Sequence, residues 1–473
     1  MHPPRDITTL FERAVSGSSP QNRIEDWLVR GQPLRTEEGE SLNPTLITES
    51  DRDVHIVAIG KAAWTMAASI APLCGDRLAR SLVVCPVEHV RRPFPDSGGR
   101  VRVIGSEHPL PGAASEAATR DVIRLLQSIP PSSRLVVLLS GGTSAMLESP
   151  IAPLDMAHAA ETARILLRSG LSIHDMNTVR RALSRVKAGQ LLDHLHESVD
   201  QIDLIVSDVP GDDPGTIGSG PTTPGTRSPS AALEVLEKAG ILNAVPPAVR
   251  HVLEQDARRE QADPSAFATP RRDGHRQVIL SSSHVMAELA NRHAAALGCD
   301  THPIPACWSG PCSDLADVMV QDALRTPWPD DQPDLRVYHG ECTLDVKTDR
   351  PGGRNQHLAL LAGSRLWERI AGTSSQTPSE TPSESSHRRF VLLSAGSDGR
   401  DGFTDAAGAV VDADTFARAR TLGLDPSTAL REFDTHTFFK KAGGLVVTGP
   451  TGNNLMDLQL VIRLPRKGGD HVG

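Results

Sequence analysis

Three segments of the chain place glycine, small hydroxyl residues and aspartate directly after an apolar run that is typical of a buried β-strand. The segments are Leu135 to Pro150, Ile202 to Thr222 and Phe390 to Ala409. Where a strand ends in this way, backbone N–H groups can face an anion, and neighbouring carboxylates can hold a metal ion. Phosphoryl transfer needs these groups together, so the pattern indicates a phosphotransferase.

The first segment contains the turn SGGTS, which we predict to bind phosphate of a nucleotide or substrate. Its adjacent glycines leave backbone N–H groups accessible, and its three hydroxyls can donate hydrogen bonds. The structural alternative is a turn that serves only tight packing. The residues of this predicted binding turn are Ser140, Gly141, Gly142, Thr143 and Ser144.

Lys61 follows Gly60 at a predicted strand-to-helix turn and is a candidate catalytic residue. The glycine spacing of a P-loop does not precede it, which excludes that motif. A cation at a helix N-terminus opposes the helix dipole, so helix stability does not explain the lysine. The alternative is a solvated side chain beside a glycine that only permits the turn.

Asp208 and Asp398 each lie close behind a predicted strand, at the edge of a parallel sheet where ligands bind. We predict that one carboxylate accepts the proton of the substrate hydroxyl and that either one can hold Mg²⁺. Which aspartate does which stays open, and both could simply form turns.

Further candidates lie on a basic helix and on two glycine-rich loops. The predicted helix from Ile173 to Leu195 carries Arg181, which could contact phosphate or belong to a solvated basic face. The loop GGRNQ contains Arg354, whose guanidinium can bind phosphate through two hydrogen bonds. The loop TGPTGNN contains Asn453 and follows another predicted strand.

The elements that must position these residues alternate between strand and helix, which predicts α/β architecture with mostly parallel sheets. We expect two three-layer, Rossmann-like domains facing each other across a cleft. The N-terminal domain is predicted at 1–262 and the C-terminal domain at 275–473. A polar, serine-rich stretch at about 372–388 is predicted to be a disordered insertion.

Composition excludes several functional classes. The formal net charge of −9 argues against a general nucleic-acid-binding protein, and no apolar run is long enough for a membrane helix. The six cysteines form no CxxC pair, and the N-terminus lacks a secretory signal pattern. A cytoplasmic protein with small-molecule substrates fits this composition, and a homo-oligomer is compatible with it.

The order of these motifs resembles that of the glycerate 2-kinase family, from about Phe11 to the end of the chain. The resemblance rests on AIGKAAWTMA, SEHPLPG, LSGGTSAMLESP, IHDMNTVRRALSRVKAG, SDVPGDDPGTIGSGPT, HGECT, GGRNQ, LSAGSDGRDGFTDAAGA, THTFF and TGPTGNNLMDL. It implies transfer of the γ-phosphoryl group of ATP to the 2-hydroxyl of D-glycerate with Mg²⁺, giving 2-phosphoglycerate. The family's functional positions correspond to Lys61, Asp208, Glu341, Arg354, Asp398 and Asn453.

By this resemblance, Lys61 and Arg354 neutralise charge on the phosphoryl group and on the glycerate carboxylate, while Glu341 and Asn453 bind substrate or nucleotide. The chain departs from the usual family residues at several positions: Thr143, His284, Pro311, His357 and Phe403. These departures bear on substrate range and rate.

Three alternatives stay open. One is an NAD(P)H-dependent hydroxypyruvate reductase, a name long attached to this family, although no GxGxxG motif with a following acidic residue supports it. The second is a kinase that acts on another small sugar acid. The third is a non-catalytic protein that binds a sugar acid or nucleotide.

Overall fold

The computed structural model describes residues 3–465 apart from 37, 50, 326–328, 330 and 373–388. It divides into two units, each with its own core. The first unit is Pro20–Leu280, and the second combines Met1–Ser19 with Ser281–Gly473. The first helix of the chain, α1 (Pro3–Gly17), therefore belongs to the second unit.

The first unit is built on a six-stranded sheet in the order β6–β5–β4–β1–β2–β3. The pairs from β5 to β3 are all parallel. This is the strand order of the Rossmann fold, whose switch point lies between β1 and β4. The strands are β1 (Val54–Ile59), β2 (Ser81–Pro86), β3 (Val101–Ser106), β4 (Arg134–Leu139), β5 (Asp200–Val206) and β6 (His275–Ser281).

Every residue of β1, β2 and β4 is buried, which indicates that both faces of this sheet are covered. The α-helices of the unit are α2 (Pro20–Leu28), α3 (Thr45–Thr48), α4 (Ala63–Ile70), α5 (Ala113–Ser128), α6 (Thr143–Met146), α7 (Met156–Arg168), α8 (Ile173–Ala182), α9 (Pro229–Lys238) and α10 (Pro247–Ala262). Short 3-10 helices span Ala71–Arg77, Val87–His89, Gln190–His194, Ile217–Ser219 and Pro264–Phe267. Two small antiparallel ladders pair Leu34–Arg35 with Ser41–Leu42 and Gly225–Thr226 with Ala268–Thr269.

The second unit contains a seven-stranded mixed sheet in the order β7–β9–β13–β10–β11–β12, with β8 also paired to β9. Only β7 and β8 run parallel to their partner, β9, and the other ladders are antiparallel. The strands are β7 (Asp300–Thr301), β8 (Trp308–Pro311), β9 (Asp334–Thr343), β10 (Arg389–Gly396), β11 (Gly408–Asp412), β12 (Leu445–Val446) and β13 (Asp457–Leu464).

Two apolar clusters lie on opposite faces of this sheet, because successive residues of β10 alternate between them. Phe390 and Leu392 belong to one cluster, and Val391 and Leu393 belong to the other. The arrangement has three layers. Its helices are α1 with α11 (Ser283–Ala296), α12 (Cys312–Arg325), α13 (Arg354–Gly372), α14 (Ala413–Thr421), α15 (Pro426–Glu432) and α16 (Thr435–Ala442).

The predicted α/β class is confirmed for both units, but the prediction of mostly parallel strands is wrong for the second sheet. One cause is β13 at the end of the chain, which enters between β9 and β10 and runs antiparallel to both. In addition, β11 runs antiparallel to β10, and β12 runs antiparallel to β11. When a strand from a distant part of the chain inserts between two others, the local sequence does not indicate whether they run parallel or antiparallel.

The predicted domain limits of 1–262 and 275–473 differ from the limits of the two units. Helix α1 buries Ile7, Leu10 and Phe11 in the core of the second unit, so the chain begins there. Strand β6 adds to the sheet of the first unit beside β5. The predicted insertion at 372–388 lies almost entirely outside the described residues. No helix in the described part of the chain has the length and apolar character to cross a membrane.

Candidate functional site

The loops that follow β1 and β4 meet at the switch point of the first sheet. The Lys61 N–H donates to the Gly141 carbonyl oxygen over 2.9 Å, and the Ala62 N–H donates to Ser140 Oγ over 3.0 Å. Parallel neighbouring strands bring these loops to the same edge of the sheet. The two sequence motifs around Lys61 and SGGTS therefore form one structure.

Glycine is required on both loops because the backbones approach so closely. Gly60 has φ of +120°, and a Cβ there would overlap the backbone and hydroxyl of Ser140. A Cβ on Gly141 would overlap the carboxylate of Asp208, which follows β5. The absence of these side chains lets Asp208 lie directly against the turn.

The predicted turn divides into residues that hold it together and residues that face open space. The Thr143 hydroxyl lies 3.0 Å from the Ile59 carbonyl oxygen and 2.8 Å from that of Ser140. Ser140 is buried, and its own hydroxyl accepts the Ala62 N–H. Both side chains therefore have structural partners. Gly141, Gly142 and Ser144 line a cavity of about 230 Å³.

Two backbone donors of the turn are available to a ligand. Within the described ranges, no group accepts the N–H of Gly141 or of Gly142. A Cβ on Gly142 would stand 3.1 Å from His108 Cδ2 and 3.4 Å from Lys61 Cγ, which shows how close these side chains lie. Free N–H groups beside an ammonium group form a binding site for an anion.

The electrostatics of this first cluster centre on Asp208. Burial raises the pKa of the Asp208 carboxyl, and the nearby charge of Lys61 opposes that rise. No lysine, arginine or histidine in the described part of the chain lies within salt-bridge distance of this carboxylate. Burial also lowers the pKa of His108, and Lys61 adds to the decrease. His108 is consequently neutral at neutral pH.

Arg181 does not join this cluster. Its guanidinium donates to the Gly215 carbonyl oxygen and lies beside Asp213, so it supports the loop after β5. The neighbouring Arg180 lines the cavity instead. Arg181 was predicted to bind a ligand on the assumption that its helix continues to Leu195.

That helix, α8, ends at Ala182, and the predicted basic stripe does not continue beyond it. The chain then pairs with an earlier segment, because the Ile151 N–H donates to the Leu183 carbonyl and the Arg185 N–H to that of Ser149. This pairing buries Lys187, whose Nζ lies 2.6 Å from a carboxylate oxygen of Glu148.

The second cluster surrounds Arg354 at the start of α13 in the second unit. Arg354 Nε lies 2.6 Å from Asp457 Oδ2, and Nη2 lies 3.0 Å from Oδ1 of the same carboxylate. Nη2 also lies 2.9 Å from Glu341 Oε1, at the end of β9. Asp457 is only 1% exposed. Two carboxylates therefore fix the plane of the guanidinium.

Opposing charges dominate the protonation of this cluster. Burial alone would lower the pKa of Arg354, but Asp457 and Glu341 outweigh burial and raise it. Burial raises the pKa of Glu341, Arg354 opposes that rise, and Asp457 and Asp398 add to it. Glu341, Arg354 and Asp398 were all selected from the sequence, and the structure brings them together.

Asp398 and Asp401 have different roles within one loop. Asp398 is exposed, and its Oδ1 accepts the Arg400 N–H over 2.9 Å. Asp401 is buried and accepts the N–H groups of Asn355 and Gln356 over 2.9 and 2.8 Å, which caps the N-terminus of α13. Burial raises the pKa of Asp401 to about 6 despite these hydrogen bonds.

Asn453 occupies a buried position away from open space. Its Nδ2 donates to the Val15 carbonyl oxygen over 2.6 Å and so attaches α1 to the loop before β13. This contact gives Asn453 a structural function within the second unit. Its predicted contact with substrate or nucleotide stays a prediction.

Three residues of these clusters were not among the candidates selected from the sequence. His108 lies in SEHPLPG, Asp457 lies in TGPTGNNLMDL, and Arg180 adjoins the selected Arg181. All three stand inside motifs that carried the family resemblance, so the signal was present. Only the tertiary contacts distinguish them from their neighbours.

Carboxylate oxygens are the ligands that Mg²⁺ prefers, and Asp208 and Asp398 both supply them. Throughout the described residues, no three or more histidine, cysteine, aspartate or glutamate side chains form a group that could hold a metal. Mg²⁺ in kinases is commonly held by one or two carboxylates together with substrate phosphates, so the donors present fit this ion.

Two family profiles match the chain. One is described as "Domain of unknown function (DUF4147)" and covers residues 6–254, and the other is the MOFRL family and covers residues 335–457. The first spans the candidate residues Lys61 and Asp208. The second spans Glu341, Arg354 and Asp398 and ends at Asp457.

Named relatives cover most of the chain. A D-glycerate 2-kinase of Thermotoga maritima is 31% identical over 86% of this chain and 89% of its own length. A glycerate kinase of Homo sapiens is 30% identical over 88% of this chain and 85% of its own length. The crystal structure of a glycerate kinase from Thermotoga maritima superposes with a TM-score of 0.76 at 27% identity, covering 98% of this chain and 99% of the other. The chain therefore belongs to the glycerate 2-kinase family.

Proposed function

We propose that the protein is a glycerate 2-kinase that transfers the γ-phosphoryl group of ATP to the 2-hydroxyl of D-glycerate, giving 2-phosphoglycerate. One observation carries this proposal. The free N–H groups of Gly141 and Gly142 lie beside the half-buried carboxylate of Asp208, and Lys61 is close enough for its charge to act on the pKa of that carboxyl. Donors for phosphate oxygens thus stand next to an acceptor for a hydroxyl proton.

In the proposed mechanism, Lys61 and the two N–H groups stabilise negative charge on the phosphoryl group during transfer. Asp208 accepts the proton of the 2-hydroxyl, because burial raises its pKa and makes it a stronger base than an ordinary aspartate. Asp398 is the alternative base, since its carboxylate is exposed in a strand-terminal loop. The neutral ring of His108 can donate or accept a further hydrogen bond without adding charge.

Arg354 is proposed to bind a substrate anion. Its Nε and Nη2 are held by Asp457 and Glu341, which leaves Nη1 without a protein acceptor among the residues the structure describes. A partly exposed guanidinium held in one plane can meet a carboxylate or phosphoryl oxygen with little loss of side-chain entropy. Asp457 is thereby a positioning residue, since it acts through Arg354.

Asp208 or Asp398 would hold Mg²⁺, and when bound this ion neutralises charge on the nucleotide phosphates. The six cysteines are all free, which suits the reducing cytoplasm that we propose as the location.

A coupled assay tests the function. We expect release of ADP that requires ATP, Mg²⁺ and D-glycerate together, with lower rates for other small sugar acids. The same preparation should not oxidise NADH in the presence of hydroxypyruvate. NADH oxidation without ADP release would assign the chain to the reductase alternative, and preference for another acid would change the substrate.

A further inference from the structure

The cavity beside Gly141 and Gly142 is larger than a phosphate group requires. It has a volume of about 230 Å³ and lies entirely within the first unit. Its lining includes the two glycines and Asp208 together with residues of α7 and α8. An unassigned binding surface thus continues directly from the proposed phosphate site.

The walls of this cavity are mainly apolar. Leu166 and Leu167 line it from α7, and Ile173 and Met176 line it from α8. Leu167 is 46% exposed and Ile173 is 39% exposed, although both are large aliphatic residues. Apolar side chains that remain accessible around a cavity gain free energy when a ligand covers them.

One cationic side chain lines the same cavity with donors to spare. Arg180 makes a weak contact of 3.4 Å to Asn177, and no carboxylate in the described part of the chain lies within salt-bridge distance of it. The carboxylate of Glu148, whose charge acts on Arg180, is already paired with Lys187. Arg180 can therefore donate hydrogen bonds to a ligand, but it cannot accept them.

We propose that this cavity binds the nucleoside part of the phosphoryl donor. Its base lies on the apolar wall of α7 and α8, and its phosphates reach the N–H groups of Gly141 and Gly142. Arg180 donates to an acceptor atom of the base or to a phosphate oxygen. This inference rests on the proposed function for the identity of the donor as ATP.

The alternative occupant, a small sugar acid, matches the walls poorly. Such an acid carries a hydroxyl or carboxylate on nearly every carbon, and these groups would lie against Leu166, Leu167 and Met176 without hydrogen-bond partners. A nucleoside has a flat, weakly polar base together with polar atoms at its edge, which suits apolar side chains flanked by polar ones such as Arg180, Thr162 and Asn177.

A substitution that places a larger side chain on the cavity wall tests this proposal. Ala159 is half-buried and lines the cavity on α7, so Ala159→Phe places a ring where the base is expected. Ala157→Phe is the matched control, because Ala157 is exposed on the same helix and is not part of the lining. Isothermal titration of the full chain with ADP, pyrophosphate and D-glycerate measures each dissociation constant.

We expect Ala159→Phe to weaken ADP binding about tenfold or more. The constants for pyrophosphate and D-glycerate should stay at the parental values, as should all three constants in Ala157→Phe. Leu167→Ser is the second variant, because an exposed position tolerates the change, and it should weaken ADP binding about threefold. Circular dichroism verifies that each variant is folded.

Each other result overturns the inference. Parental ADP affinity in Ala159→Phe and Leu167→Ser, with the parental protein still forming 2-phosphoglycerate, would contradict this inference alone. A loss of D-glycerate binding with unchanged ADP binding would assign the cavity to the acid. A parental protein that binds neither ADP nor pyrophosphate would overturn the proposed function as well.

Discussion

The two clusters hold their cations by opposite means. Asp457 and Glu341 fix the guanidinium of Arg354 at 2.6 to 3.0 Å, so the side chain itself is positioned. Lys61 has no such partner among the described residues, but its backbone is fixed where it bonds to Gly141. One cluster positions a charged group, and the other positions the loop that carries it.

The carboxylates of the two clusters, Asp457 and Asp208, differ in whether a cation contacts them directly. Asp457 is buried against a guanidinium that compensates its charge, whereas Asp208 is half-buried with no cation in direct contact. Partial removal of a carboxylate from water without a direct partner costs free energy in its ionised form, and that cost appears as a raised pKa. Such perturbed groups are common where chemistry occurs. The comparison favours Asp208 as the reacting group and Asp457 as a support.

The largest effect is expected when either cation is removed. Lys61→Ala and Arg354→Ala should each lower kcat by about a hundredfold, since one preorganised charge partner supplies about 3 kcal/mol in a transition state. Lys61→Arg should not restore kcat, because a planar fork does not replace a compact ammonium group. Arg354→Lys should also fail, because the ammonium loses the bidentate contact with Asp457.

Steady-state kinetics with ATP and D-glycerate measures these four variants. Arg365→Ala is the control, since Arg365 lies on the same helix as Arg354 but contacts Asp317 and the Ser313 carbonyl instead. Arg354→Lys keeps a cation beside Asp457 and so separates lost geometry from lost folding. Near-parental kcat in both alanine variants would refute the role of these cations in transfer.

Stability should distinguish the two carboxylates. Asp457→Asn should lower the free energy of unfolding by about 2 kcal/mol, because it breaks a pair whose carboxylate is buried while Arg354 stays partly exposed and keeps Glu341. Asp208→Asn should leave it unchanged or raise it, because the variant no longer buries an ionised group. Urea unfolding at neutral pH measures the free energy of unfolding of both variants. Equal decreases in Asp457→Asn and Asp208→Asn would contradict the different roles given to the two carboxylates.

The pH dependence of kcat/KM should locate the base. If Asp208 accepts the proton, activity falls as pH falls and Asp208 becomes protonated. Because burial raises the pKa of Asp208, this fall should occur at higher pH than for an ordinary aspartate. Asp398→Asn should leave the position of the fall unchanged. A shift of the fall in that variant would indicate Asp398 as the base.

The smallest effect is expected at Thr143, whose hydroxyl holds the turn together. Thr143→Val should lower the free energy of unfolding by about 1 kcal/mol, because the variant loses one hydroxyl donor that lies between two buried carbonyl oxygens. Its kcat should stay within about threefold of the parental value, well short of the loss expected for a charge partner. A loss as large as that of Lys61→Ala would instead show that Thr143 contacts the phosphoryl group.

The α/β class and the Rossmann-like first sheet could be predicted because their information is local. Fully buried parallel strands appear as short apolar runs, and the loops that follow them carry glycine and aspartate. Lys61, Gly141 and Asp208 could therefore each be placed just after a predicted strand before any contact was known.

The remaining features depend on pairings between distant segments. The direction of β13 follows from its insertion between β9 and β10, and the end of α8 follows from pairing with residues 149–151. Arg181 was selected on the assumption of a longer helix, and Asp457 was overlooked because an aspartate at a strand start has no distinctive local pattern. The positions of Arg181 and Asp457 relative to the two clusters can be recognised only from the tertiary contacts.

The central claim is that phosphate is transferred to the 2-hydroxyl of D-glycerate, and the ³¹P NMR spectrum of the reaction product tests it most directly. Carbon 2 carries one hydrogen and carbon 3 carries two, so the proton-coupled phosphorus signal reports the position of the ester. The account predicts a doublet, formed only when the protein, ATP, Mg²⁺ and D-glycerate are all present. A triplet, or no new phosphomonoester signal, would contradict it.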